Sequence, residues 1–524
     1  MDYGLGGILF ARLERPDLGL EAYLDVLDAM ARQVRKKTQG LGGIRLLEAL
    51  NHYLFFDEGF RFDASDPEGI LPANLYLDTV LRRKKGYCVS LSLLLLALGQ
   101  RLGLPLFGVR VPGHFIVRYD DGKTVRNVET TDWGMAQPNS HYIRKYRISR
   151  ASLKRGVYMR NLAPPEVFAD LLNNRGTLLG MSGDARGAIA VFDMALDLDA
   201  TTASVLYNRG VMRMRMQNFD GALEDFLGCL ALDENHHQAM TNVAEILAVK
   251  GNYKEALKTI NTAVTRAPAY SMGYLQRGLI FLRMGKRTLA MENINRALEL
   301  DERNAMAFLY RARVRREQGE LLAAVLDLNS ACALAPRDSL PFAERAMTYY
   351  KMKRWKKSLA DFDKAIAIDP NVLEYHLNRG LARLGTGDRK GAVRDFDRAL
   401  QINPQSPQAL AKRAAVEILE GRHKGALGFL DRALDADPSY VPALLNRGAV
   451  HFRLGHLEKA ETDLDRCIEL EEGNREAHRQ LGILSHRRGK TAKAVFHLER
   501  YRALSGADAD ERALEILRKL RQGR

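Results

Sequence analysis

The sequence predicts an α+β amino-terminal domain, with helices and a small antiparallel sheet, followed by an all-α superhelical solenoid. Three observations carry this expectation. A small residue recurs every 34 positions from Gly176 to Gly482 with no insertion. The first third of the chain does not repeat. Within that third, helical periodicity gives way after residue 105 to short alternating runs of strand type. At 524 residues the chain is also too long for a single hydrophobic core.

The elements follow in chain order. "GLEAYLDVLDAMARQVRK" and "GGIRLLEALNHYLFFDEGF" have helical spacing, and "NLYLDTVLRRKKG" suggests a third helix. The stretch Cys88 to Leu102 is apolar nearly all round, which predicts a central buried helix. "LFGVRV", "HFIVRY" and "TVRNVET" read as strands, with a turn at Asp121–Gly122 between the last two. A two-residue turn there pairs Asp120 with Lys123 and, counting outwards, His114 with Glu129 on one face of the sheet. A three-residue turn would shift the register by one and separate them.

From Gly176 the 34-residue series runs through Gly210, Ala244, Gly278, Ala312, Ala346, Gly380, Ala414, Gly448 and Gly482. A second small residue follows each by twelve, and an apolar residue by sixteen, beginning Phe192, Phe226 and Ile260. Prolines at unit ends, such as Pro268 and Pro370, fit helix breaks. Arg precedes the small residue in eight of ten units. In five of those eight, Asp stands sixteen residues after the Arg, as in Arg209 and Asp225, which points to pairing between the two helices of a unit. Ten units in one phase resemble the tetratricopeptide repeat, a helix–turn–helix motif. The resemblance covers residues 169–508, and residues 509–524 read as a capping helix.

One position before that Arg, seven of ten units carry a primary amide: Asn174, Asn208, Asn242, Gln276, Asn378, Asn446 and Gln480. An amide donates and accepts together, so such a row is suited to an extended peptide backbone. It resembles the asparagine ladder of repeat-bearing glycosyltransferases that modify protein serines. The other reading is solvated polar surface. The carboxylate-clamp pattern of tetratricopeptide proteins needs Asn after the small residue. Thr177, Val211, Glu245 and Leu279 stand there, so that ligand is not expected.

Chemistry, if present, lies in residues 1–165. Cys88 opens a helix just after Arg82, Arg83, Lys84 and Lys85, and a helix start and nearby cations both stabilise a thiolate. His114 can protonate a leaving group, and Glu129 behind it can fix the ring tautomer. "GYCVSLSLLLLALGQRLGLPLFGVRVPGHFIVRY", followed by "RNVETTDWG", resembles the transglutaminase-like superfamily over about residues 10–165, in a bacterial branch with a P-G-H-F strand. By that resemblance the catalytic triad is Cys88, His114 and Glu129. The family's usual acid is Asp, so Glu129 departs from the pattern and Asp132 is the alternate. Many members of the branch lack the cysteine, so the fold alone does not imply activity. The Cys88 amide is a candidate oxyanion donor, with Asn74 and Tyr76 as weaker ones. Cys229, Cys332 and Cys467 fall at or beside small-residue repeat positions and read as packing residues.

Composition narrows the function classes. Net charge is +15, spread as 24 Lys+Arg against 18 Asp+Glu through residue 168 and an excess of nine thereafter, so no domain is a basic block. There is no nucleic-acid motif, and nucleic acid is not an expected partner. Four cysteines make no disulfide framework. The amino terminus has no cationic leader, and the run Val89 to Gly99 is too short for a bilayer, so no membrane association and a cytoplasmic location are expected. The absence of a P-loop, HExxH or CxxC leads to no expected cofactor or metal. Two functions remain. One is a peptide-binding repeat protein with a cysteine-dependent amide-processing domain that forms a thioester on Cys88. The other is a non-catalytic scaffold whose first domain is inert and whose repeats assemble protein partners.

Overall fold

The computed structural model describes residues 2–66 and 71–523. It divides into two compact units, Met1–Leu300 and Asp301–Arg524. The first unit opens with α1 (Tyr3–Arg12), α2 (Leu20–Lys37) and α3 (Gly43–His52), the last running into a π-helical turn at Tyr53–Asp57. Short parallel strands β1 (Arg61–Phe62) and β2 (Lys85–Gly86) flank α4 (Leu77–Arg83). The helix α5 (Cys88–Leu102) follows and is buried on almost every face, as its unbroken leucine run requires. Gly103 ends it in a left-handed conformation, φ 75°.

The main sheet is antiparallel in the order β3 (Leu106–Val111), β4 (His114–Asp120), β5 (Val125–Val128). Pro112 and Gly113 link the first pair, with Val111 opposite His114. The second hairpin corrects the expected register. Asp120 pairs with Val125, not Lys123, so the loop holds four residues and the register moves by two. The cause is Asp121, whose Oδ1 accepts from the Lys123 and Thr124 amides at 2.9 and 2.7 Å, closing a wider turn on its own side chain. Because the slip is even, every side chain keeps its face. Val117 and Val128 still face α5, and His114 and Glu129 still share the opposite face.

That opposite face is covered by α6 (Asn139–Lys145) and α7 (Arg150–Lys154), and then by helices of the repeat array. Ten helical hairpins follow, four in the first unit and six in the second. The first is α8 (Pro164–Met181) with α9 (Ala185–Leu198), and the second α10 (Ala203–Arg215) with α11 (Phe219–Leu232). The sheet and the first hairpins of the array share two cores. Leu91, Phe115 and Val117 belong to one core with Val167, Leu171 and Phe192. Val111 and Ile116 join Ala203, Phe226 and Ala239 in another. Among the described residues no helix is long and apolar enough to cross a membrane, and no group of His, Cys, Asp and Glu is arranged to hold a metal ion.

Within each hairpin the 34-residue pattern has a direct physical meaning. A Cβ placed on Gly176 would meet the Phe192 ring at 2.5 Å, and one on Gly380 the Phe396 ring at 2.5 Å, so the glycine admits the large residue sixteen positions on. All five Arg–Asp pairs at that same spacing form: Arg209–Asp225, Arg311–Asp327, Arg345–Asp361, Arg379–Asp395 and Arg447–Asp463. Several of these arginines also reach back sixteen residues to the preceding hairpin, as Arg209 does to Asp193 and Arg379 to Asp363. One guanidinium thus ties three helices with its rigid fork of donors.

The turn inside each hairpin needs a left-handed residue. Eight of ten turns supply glycine there, but Gln217 (φ 61°) and Lys353 (φ 55°) hold the same conformation with a side chain. Lys353 is exposed and makes no ion pair among the described residues, so Lys353→Gly is expected to stabilise its hairpin by about 1 kcal/mol. A raised urea midpoint for the second unit checks this. An unchanged or lowered midpoint contradicts it.

Candidate active-site cleft

Three elements converge at one end of the sheet. The amino terminus of α5 presents Cys88, half-buried and a free thiol. Tyr87 and Ser90 fix this helix start, since the Tyr87 amide donates to Ser90 Oγ at 2.9 Å and Ser90 Oγ donates to the Asn74 carbonyl at 2.6 Å. The amides of a first helical turn have no acceptor within the helix and point toward whatever lies before it. His114 begins β4, and Glu129 lies just past β5, bridged to Met135.

The imidazole is held symmetrically. His114 Nε2 lies 2.9 Å from both Oε1 and Oε2 of Glu129. The carboxylate is itself fixed by Thr131 Oγ1, 2.7 Å from Oε1. Tyr142 hydroxyl stands 3.5 Å from Oε2, and Tyr146 stacks on the His114 ring with centroids 6.4 Å apart. With Nε2 committed to Glu129, Nδ1 is the ring nitrogen left for the thiol. Burial opposes a charge on His114, but hydrogen bonding to Cys88 and Glu129 overcomes it and pushes the pKa up to about 10. Burial raises the Glu129 carboxyl, but the bond to His114 holds it below its ordinary range. Asp132 is exposed and has no contact with the ring, so Glu129 is the acid that meets His114.

Cys88 and His114 line one cleft of about 140 Å³. Its opposite wall comes from the first hairpin, through Asp170, Asn173 and Asn174 of α8. Arg110 of β3 binds this wall. Its Nε lies 3.0 and 3.1 Å from the two Asp170 oxygens, its Nη2 2.8 Å from one of them, and its Nη1 3.0 Å from Asp199. Arg118 performs a parallel task across the sheet, binding Asn127 at 2.8 Å and the Met159 carbonyl at 2.9 Å to hold the segment that covers the site.

Other expected residues are placed differently. The four cations before Cys88 are taken up by carboxylates: Arg82 by Asp78, Arg83 and Lys85 by Asp63, and Lys84 by Glu58. Each of the four is held in an ion pair, so the thiol does not face a free cationic run. Asn74 donates to Asp63 and Asp66, both at 3.1 Å, and accepts from Arg83 at 2.7 Å, which leaves no donor for an oxyanion. Tyr76 packs on Phe10, with ring centroids 5.4 Å apart, in the core. The Cys88 amide is the oxyanion candidate that remains.

The row of amides is not uniform. Asn174 faces the cleft. Asn208 donates to Asn173 Oδ1 at 2.9 Å and to Thr177 at 3.3 Å, bridging consecutive hairpins. Asn242 is half-buried and bonds Tyr207, and Gln276 is buried. Asn378 and Asn446 are half-buried. Gln480 donates to Glu476 at 3.0 Å, beside a groove of about 780 Å³. The three remaining cysteines are buried in the array, which pushes Cys332 up to about 11 and Cys467 up to about 12. Arg110 and Asp170 were not singled out in the sequence. The available signal was a lone charge in each of two otherwise apolar runs, "LFGVRV" and "VFADLL".

Comparison with known proteins places these features. A model described as the transglutaminase-like superfamily matches residues 21–135. Tetratricopeptide-repeat models match 207–271, 275–339, 341–372, 377–441 and 441–474. A UPF0162 protein of Xylella fastidiosa (strain Temecula1) is 28% identical over 236 residues, which is 44% of this chain and 83% of the relative. F-box only protein 21 of Homo sapiens is 34% identical over 89 residues, 17% of this chain and 14% of that protein. Among solved structures, a tetratricopeptide repeat protein from Parabacteroides merdae superposes with a TM-score of 0.41 at 19% identity, covering 49% of this chain and 100% of that one.

The His114 environment sets a pH dependence. Its folded pKa of about 10 lies above the unfolded value of about 6.5, so its contribution to stability is complete below pH 6.5 and is lost as pH rises through 10. In an NMR titration of histidine-labelled protein, the His114 ring is expected to remain protonated from pH 6 to 8. Cys88→Ala, which removes one of the partners that hold the charge, should lower its midpoint. A wild-type midpoint near 6.5 contradicts this.

Proposed function

From a chain that joins a transglutaminase-like domain to protein-binding tetratricopeptide repeats, we propose that the protein is a cysteine-dependent amide-processing enzyme acting on polypeptides recruited by its array. The observation that carries this reading is a half-buried free thiol at a helix start, sharing one cleft with an imidazole whose Nε2 is held at 2.9 Å by both oxygens of a carboxylate.

In the proposed reaction the Cys88 thiolate attacks the carbonyl carbon of an amide, forming a C–S bond. The oxyanion that develops is stabilised by the amides at the start of α5. The C–N bond then breaks, the His114 imidazolium gives its proton to the departing amine, and a thioester remains on Cys88. Water or a second amine attacks the thioester, with His114 taking its proton, and the thiolate returns to Cys88. Glu129 holds the ring orientation and its positive charge throughout. The array contributes substrate choice. Three cations that make no ion pair among the described residues, Arg453, Arg487 and Arg512, line the groove beside Gln480 together with Phe452 and Ile516, which suits an acidic segment of a partner.

Cys88→Ala tests the reading against the inert scaffold. Casein incubated with the full-length protein and a fluorescent primary amine should gain the amine or be deamidated, and the variant should fall by at least about a thousandfold. The folded wild type should also be alkylated selectively at Cys88 at neutral pH, because the other thiols are buried. A Cys88 that resists alkylation in the folded protein, with no turnover, would leave the scaffold as the function.

A further inference from the structure

The wall facing Cys88 belongs to the first hairpin of the array, and one side chain in it has no structural task. Asp170, Asn173 and Asn174 all line the cleft from α8. Residues four apart lie on one helix face, so Asp170 and Asn174 point the same way. The two-pronged bond from Arg110 to Asp170, Nε to Oδ1 and Nη2 to Oδ2, fixes the rotation of α8 about its axis and thereby aims Asn174. Asn173 is partly engaged, since its Oδ1 accepts from Asn208 at 2.9 Å. Asn174 is half-buried, and its side chain makes no hydrogen bond among the described residues. It therefore offers two donors and an acceptor beside the thiol with nothing inside the protein to receive them.

The cleft also continues. Gly113, Tyr158 and Ser204 line both it and a neighbouring cavity of about 530 Å³, which is bounded by Tyr146, Ile148 and the turn of the array at His236 and His237. Burial lowers the pKa of both histidines. Arg147, Asp233 and Arg266 also line the cavity, so it combines aromatic rings with charges of both signs and has room for polar side chains flanking the reacting group.

We infer that Asn174 is a substrate-contacting residue, hydrogen-bonded to a peptide unit next to the carbon that Cys88 attacks, so that the substrate is a polypeptide laid along the first hairpin and not a free small amide. This rests on Cys88 being the nucleophile. It also separates Asn174 from the other amides of its row. Asn208 bridges hairpins, whereas Asn174 completes the reaction cleft from the array side.

Two probes of Cys88 in the full-length protein test the inference. Bromoacetyl-dialanine amide carries peptide groups beside its reactive carbon, and the thiolate displaces its bromide. Methyl methanethiosulfonate carries none and reports thiol reactivity alone. The readout is the ratio of the two rates at Cys88, measured by mass spectrometry of the Cys88 peptide. Asn174→Ala is expected to lower that ratio about tenfold relative to wild type, the worth of one hydrogen bond. Asn174→Asp, which keeps the shape but exchanges the donor for an acceptor, should lower it at least as far. It decides the matter if the alanine variant melts below the wild type. An unchanged ratio in both variants overturns the role of Asn174 while leaving Cys88 as nucleophile. A wild-type Cys88 that reacts with neither probe overturns the nucleophile and, with it, the Asn174 contact.

Discussion

The first unit depends on one buried cation. Arg110 lies near the end of the edge strand β3, is about 5% exposed, and binds Asp170 and Asp199 together. Two carboxylates in a buried place repel one another, and the guanidinium between them offsets that repulsion. Asp199 has a second duty at the end of α9, accepting from the Thr201 amide at 2.9 Å and from Thr202 Oγ1 at 2.9 Å. A hydrophobic replacement could supply comparable stability, but it would not set an angle. The planar fork of Arg110 fixes the direction of Asp170 and hence the orientation of α8 against the strand.

From that fixed angle the rest of the cleft follows. The sheet supplies His114, α5 supplies Cys88, and α8 closes the opposite side. The apolar cores on both faces of the sheet run into the array without a break, so the first hairpins are part of the same folding unit as the sheet. The sheet, the cleft and the first hairpins are thereby parts of one compact unit. An array attached by a flexible linker could only raise the local concentration of a substrate. An array that forms a wall of the cleft can also orient it.

Much of this was legible in the sequence, for physical reasons specific to each part. The array was readable because a strict 34-residue period repeats one local contact, the small residue against the large one sixteen positions on, and one ion pair at the same offset. The Cys88–His114–Glu129 grouping was readable from motif and strand parity, even though the hairpin register was wrong by two. The Asp121 side chain widened the turn, but an even slip preserves the face. The role given to Arg82 through Lys85 did not survive, because their carboxylate partners include Glu58 and Asp63, 20 to 26 residues earlier in the chain. Arg110 and Asp170 lie sixty residues apart and were invisible for the same reason. Periodicity reports which face a residue occupies, not which distant charge will meet it.

Native-state hydrogen exchange of the full-length protein tests most directly whether sheet and first hairpin form one cooperative structure around Arg110. If the buried ion cluster fuses them, the amides of β3, β4 and α8 open together, with one free energy and one dependence on denaturant. Exchange of α8 through a separate, less costly opening, while β3 and β4 remain protected, would contradict it.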